Sequence, residues 1–151
     1  MPLPTRKINR MDWYDYSSWW WYFITICTDD RIHYFGDIVD NLMNYTIAGE
    51  IAYNNWLQIP YIYHSHVDIH DVVVMPNHIH GIVLLDGSWP SLSTIIKSYK
   101  QQCSKSIRQH IPEFARQKSF HDRIIRNQWE YDRISHYIDT NIENRWKDKF
   151  N

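Results

Sequence analysis

Short unbroken apolar runs alternate along this chain with longer stretches in which apolar residues return every three or four positions. The run Trp19 to Thr28, with Trp19-Trp20-Trp21-Tyr22-Phe23-Ile24-Thr25-Ile26-Cys27 almost free of polar side chains, predicts a buried strand. It is far shorter than the ~20 residues a membrane span needs, and no small-residue cleavage site follows it. From about Ile38 to Leu57, Ile38, Leu42, Tyr45, Gly49, Ala52, Tyr53 and Trp56 recur at helical spacing and predict an amphipathic helix over one face of a sheet. Val67 to Met75 and His78 to Leu85 predict two strands of a hairpin, with Pro76-Asn77 as the turn between them. After the polar turn Asp86-Gly87-Ser88, Leu92, Ile95, Ile96, Tyr99, Cys103 and Ile107 form the inward stripe of a helix from about Ser91 to Gln109. Phe120 to Arg126 reads as a short edge strand and Gln128 to Thr140 as a last helix, while polar Met1 to Ser18 reads as a surface arm.

Strand, helix, strand, strand, helix, short strand, helix suits an α+β sandwich, an antiparallel sheet with packed helices. It is closer to ferredoxin-like topology than to a doubly wound sheet. The 151 residues, 44% hydrophobic and 16% aromatic, predict one domain over 1–151 with a full core. Cys27 and Cys103 lie far apart without a CxxC pairing, which fits a reducing cytosol and two small buried hydrophobes. A net charge of -1 hides an uneven distribution. Between Lys97 and Arg126, the residues Lys97, Lys100, Lys105, Arg108, Arg116, Lys118, Arg123 and Arg126 face only Glu113 and Asp122. Such a stretch is either a phosphate-binding surface or a solvated helix face.

The chemistry concentrates in Met75-Pro76-Asn77-His78-Ile79-His80-Gly81. Residues i and i+2 of a strand share a face, so His78 and His80 project together and can supply half of a small metal site. The same spacing also fits two hydrogen-bonded histidines at a sheet face. On the last helix Ile134, Tyr137, Ile138 and Asn141 fall at i, i+3, i+4 and i+7, so Tyr137 and Asn141 share a face one turn apart. If that face crosses the hairpin, Asn141 can offer a third ligand and Tyr137 a phenol beside the metal; otherwise Tyr137 is a core aromatic. Tyr131, more than one and a half turns earlier, is rotated off this position. A nucleophile, a Lewis acid and a neighbouring basic helix would together suit attack on a phosphodiester.

Three ordered motifs carry a likeness: Val74-Met75-Pro76-Asn77-His78-Ile79-His80-Gly81, then Phe120-His121-Asp122-Arg123-Ile124-Ile125-Arg126-Asn127, then His136-Tyr137-Ile138-Asp139-Thr140-Asn141. From about Tyr22 to Phe150 the chain resembles the REP-associated tyrosine transposases, insertion-sequence-type single-tyrosine enzymes of the HUH endonuclease superfamily with a ferredoxin-like architecture. The resemblance implies that His78 and His80 are metal ligands, Asn141 the helix-borne third ligand and Tyr137 the nucleophile. It also implies Mg²⁺ or Mn²⁺ as cofactor, single-stranded DNA with a REP-like palindromic hairpin as partner, and a 5′-phosphotyrosine intermediate through which strands are cut and rejoined. The setting it implies is the prokaryotic cytoplasm at the nucleoid, with no membrane, as a monomer or homodimer. Lys97, Lys100, Lys105, Arg108, Arg123 and Arg126 are the candidate DNA contacts, and His121 is a supporting group or a surface histidine.

The chain departs from the family in having Asn141-Ile142 where Asn-Pro is usual; Ile142 would let the helix run on or shift Asn141. Two other functions fit the same residues: a domesticated hairpin-DNA-binding module without transposition, and a metal-dependent phosphoesterase that uses water in place of tyrosine.

Overall fold

The computed structural model describes residues 19–116 and 119–151; the arm expected over 1–18 lies outside them. Four strands, β1 (Trp20–Cys27), β4 (Val67–Met75), β5 (His78–Leu85) and β6 (His121–Ile125), form one antiparallel sheet in the order β4-β5-β1-β6. β5 is buried along its whole length because both of its faces are covered. That is why its sequence reads as a continuous apolar run rather than an alternating one. Its side chains still alternate: Ile79, Val83 and Leu85 enter the core under helices α1 (Ile47–Tyr63) and α2 (Leu92–Arg108). Ile82 and Leu84 enter a second core with Tyr131, Ile134 and Ile138 of helix α3 (Gln128–Asp139). His78 and His80, in phase with Ile82 and Leu84, therefore point to the α3 face.

At Gly81 the Trp56 side chain of α1 reaches the sheet backbone. A Cβ there would lie 2.4 Å from a ring atom of the fully buried Trp56. The indole packs directly on the β5 backbone, a contact that only glycine permits.

The helix expected from Ile38 is corrected. Its part from Ile38 to Tyr45 instead belongs to a separate two-stranded hairpin, β2 (Gly36–Val39) with β3 (Leu42–Tyr45). The turn between them, Asp40-Asn41, holds both residues at positive φ, 52° and 59°, the left-handed conformation that Asp and Asn tolerate and tight hairpins use. α1 begins one residue after Thr46, whose side-chain oxygen accepts the Gly49 N–H as an N-cap, and passes through Pro60 to end at Tyr63.

The remaining elements fall within a residue or two of their expected bounds, and β6 pairs with β1 as the edge strand foreseen. Of the tryptophan run, Trp21 is buried, Trp19 half-buried and Trp20 exposed. Cys27 and Cys103 are both free and buried. Among the described residues no helix is long and apolar enough to cross a membrane.

α3 is tied to β4 at an irregularity where the register shifts between His70 and Val72. There His70 Nδ1 pairs with the Tyr131 hydroxyl at 2.9 Å, and the Ser135 hydroxyl donates to the Asp71 carboxylate. The helix ends at Asp139, with the Thr140 N–H bonded to the His136 and Ile138 carbonyls. Ile142 thus does not prolong it; the side chain packs against the α3-face core, and the chain turns. A single 3₁₀ turn, Arg145–Lys147, then leads Asp148 and Phe150 back to the sheet. Arg31 clamps that end with a 2.6 Å hydrogen bond to the Phe150 carbonyl.

Candidate metal centre and its tyrosine

His78 and His80 open β5, and both are fully buried. Their Nε2 atoms converge on one oxygen: Asp148 Oδ2 lies 2.7 Å from His78 Nε2 and 2.9 Å from His80 Nε2. One nitrogen from each histidine and the carboxylate oxygen all sit within 4.8 Å of one another, the spacing of a ligand set. Burial opposes the Asp148 charge, but the two histidine hydrogen bonds outweigh it and hold the carboxyl well below the usual range.

The other ring nitrogens are held as well. His78 Nδ1 lies 2.6 Å from Asn77 Oδ1, and His80 Nδ1 lies 2.8 Å from Thr25 Oγ1. His78 consequently has an acceptor at each nitrogen and would need both protons to satisfy them. Burial, the largest influence on it, pushes its pKa down and disfavours that cation. A divalent cation in place of the Nε2 proton would resolve the conflict, since Nδ1–H would keep its bond to Asn77 and the Nε2 lone pair would be free to bind the ion. The donor set of two imidazoles and a carboxylate suits such an ion.

Asn141 lies just past the end of α3. It is buried, and neither its Oδ1 nor its Nδ2 has a hydrogen-bond partner of ordinary geometry. Tyr137, one turn earlier, is half-buried, with its ring 5.4 Å from that of His80 and edge-on to Phe23. Its phenol pKa is pushed above the ordinary value, first by burial and then by the neighbouring Asp148 charge, with the Asn141 amide acting the other way. Tyr131 is part of the core, its hydroxyl engaged by His70.

Tyr137 and His80 line an open cleft of about 540 Å³ between β6, α3 and the C-terminal segment. Among the candidate DNA contacts, Arg123 lines this cleft; His121 does too, exposed and packed on Phe150. Arg126 is exposed just beyond β6 and outside the cleft lining. The α2 cations are elsewhere. α2 packs on the opposite face of the sheet, so Lys97, Lys105 and Arg108, though exposed, stand away from the histidines. Lys100 is buried, and its ammonium donates to the Ser119 carbonyl. The basic helix thus does not adjoin the Tyr137 cleft.

Sequence reasoning missed Asp148. It sits in Lys147-Asp148-Lys149, which reads as a solvated tail, and it reaches the histidines across 68 and 70 positions. The neighbouring Phe150, buried against His78 and His80, was the hint that this tail packs on something.

The sheet and the helices on its two faces form a ferredoxin-like architecture, with the histidine pair at the head of a central strand. Residues 20–141, most of the chain, match the family model described as transposase IS200 like, and the chain belongs to this family. A solved REP-associated tyrosine transposase bound to a REP hairpin is similar in fold, with a TM-score of 0.64 and 18% identity over 87% of this chain and 72% of that one. A Deinococcus radiodurans R1 protein described as a candidate transposase is also similar, with a TM-score of 0.56 and 11% identity over 93% of this chain and 97% of that one. An uncharacterized Haemophilus influenzae protein (strain ATCC 51907 / DSM 11121 / KW20 / Rd) is 27% identical over 90% of this chain and 87% of its own length.

Proposed function

We propose that this protein is a metal-dependent single-stranded-DNA endonuclease and strand transferase that nicks and rejoins DNA beside hairpins through a 5′-phosphotyrosine intermediate. The observation that carries the proposal is that Tyr137 and His80 line one cleft, with His78 and Asp148 gathered behind His80 and the Asn141 amide beside Tyr137. Mg²⁺ or Mn²⁺ held by these residues would supply Lewis-acid polarisation of a non-bridging phosphate oxygen.

The chain's own groups do the rest. Tyr137 Oη attacks phosphorus, the bond to the 3′-oxygen breaks, and in net terms the phenol proton ends on that oxygen, leaving a 3′-hydroxyl. The phosphodiester bond is kept as a tyrosyl ester, so a 3′-hydroxyl can rejoin strands by the reverse attack without outside energy. α3, pinned through His70–Tyr131 and Asp71–Ser135, fixes Tyr137 against the sheet. The REP hairpin bound by the structural relative supports a foldback hairpin as the substrate here.

The test incubates the protein with labelled single-stranded hairpin DNA and Mn²⁺, followed by denaturing electrophoresis of wild type, Tyr137→Phe and His78→Ala. A covalent band in wild type that both substitutions abolish is expected. Cleavage that persists in Tyr137→Phe without a covalent band would make the protein a water-using phosphoesterase. Binding without cleavage across hairpins and metals would make it a DNA-binding module.

A further inference from the structure

The cleft that holds Tyr137 carries more positive charge than its size suggests. Arg123, Arg133, Lys147 and Lys149 line it, against one lining carboxylate exposed to solvent, Asp122. Two of those cations are also stacked on tryptophans. On α3, the Arg133 guanidinium carbon lies 5.5 Å from the ring centre of Trp129, four residues earlier. On the C-terminal segment, Lys147 Nζ lies 4.8 Å from the ring of Trp146. Trp129 is 70% exposed and Trp146 74% exposed, so each indole keeps most of its surface in water beside a cation that faces the cleft.

A cation in the cleft lining with a bare indole beside it just outside, once on α3 and once on the C-terminal segment, matches what an unpaired nucleotide presents: a phosphate for the cation and a flat base for the ring. A duplex offers the phosphates but keeps its bases stacked on one another. We infer that Trp129–Arg133 and Trp146–Lys147 form a two-sided binding groove for single-stranded DNA, which leads the strand across the Tyr137 cleft. This rests on the strand-transfer reading above and assigns the residues that hold the unpaired strand. The exposed α2 cations, on the other face of the sheet, take no part in it.

The experiment measures equilibrium binding by fluorescence anisotropy in EDTA, so that no strand is cut. The probe is a labelled oligothymidylate about 20 nucleotides long, more than the ~4–16 nucleotides that one groove covers. Trp129→Ala and Trp146→Ala are each expected to weaken binding by ~5- to 100-fold, and Trp129→Phe and Trp146→Phe to restore most of the loss because a stacking face returns. Arg133→Gln and Lys147→Gln are each expected to lower the slope of log affinity against log salt by ~0.7. Lys97→Ala and Lys105→Ala are expected to bind as wild type does. The inference is overturned if wild type does not bind the oligothymidylate. It is equally overturned if both alanine variants bind it like wild type, or if the phenylalanine variants are as weak as the alanine ones. Binding through the tryptophans without covalent adduct formation would sink the strand-transfer reading and spare the groove; adduct formation with unchanged affinity in both alanine variants would do the reverse.

Discussion

At the scale of single residues, the site is defined by what each histidine nitrogen meets. Asn77 and Thr25 hold the two Nδ1 atoms and leave the two Nε2 atoms aimed at one point, so they set ring orientation before any ion binds. Asn77→Ala is therefore predicted to weaken Mn²⁺ binding by ~10- to 100-fold, measured by isothermal titration; wild-type affinity would show that Asn77 does not orient His78. Lys100 shows the opposite use of a charged residue. Burial, then the Arg116 charge, pushes its pKa from 10.5 down to about 8. Between those values the unfolded chain holds this proton more tightly than the folded one, so stability from this position rises with pH and is lost as pH falls through about 8. The unfolding free energy of wild type relative to Lys100→Met should shift in favour of wild type from pH 8 to pH 10.5, and a difference that stays flat would contradict the account.

At the scale of elements, β5 is both the histidine platform and the strand against which the Trp56 ring of α1 packs. Gly81 permits that contact, and a methyl group there would meet the buried Trp56 ring rather than a flexible side-chain end. Gly81→Ala is expected to cost about 1–3 kcal/mol in urea unfolding, as overpacking of a filled core does; a change within error of zero would mean that Trp56 yields. β5 was legible in the sequence because two buried faces leave a long apolar run with sharp ends. The β2–β3 hairpin was not, since Ile38, Leu42 and Tyr45 stand four and three positions apart, a spacing that a helix face also produces. Asp40-Asn41, a pair suited to positive φ, is the sequence signal that would have separated the two readings. Helical period alone put Tyr137 and Asn141 one turn apart on one face, whereas α3 ends at Asp139 and Asn141 lies just past it. Asp148 could not be placed from the sequence, because no local rule brings a C-terminal carboxylate to the head of a central strand.

At the scale of the whole molecule, the sheet separates two jobs. One face, under α1 and α2, is a continuous apolar core; the other carries the second core and, beside it, the histidines, Tyr137 and the basic cleft. The richest basic run in the sequence lies largely on the first side. The cleft draws its cations from three separate places, Arg123 on β6, Arg133 on α3, and Lys147 and Lys149 near the end, which is why no window of sequence displayed them together. The central claim is that Tyr137, and no other group, becomes joined to the DNA. The most direct measurement is peptide mapping by mass spectrometry of protein trapped on hairpin DNA in Mn²⁺, with the DNA digested to a short remnant. The account predicts a nucleotide-bearing peptide whose modified residue is Tyr137; a remnant on Tyr131 or any other residue, or its absence where strands have been cut, would contradict it.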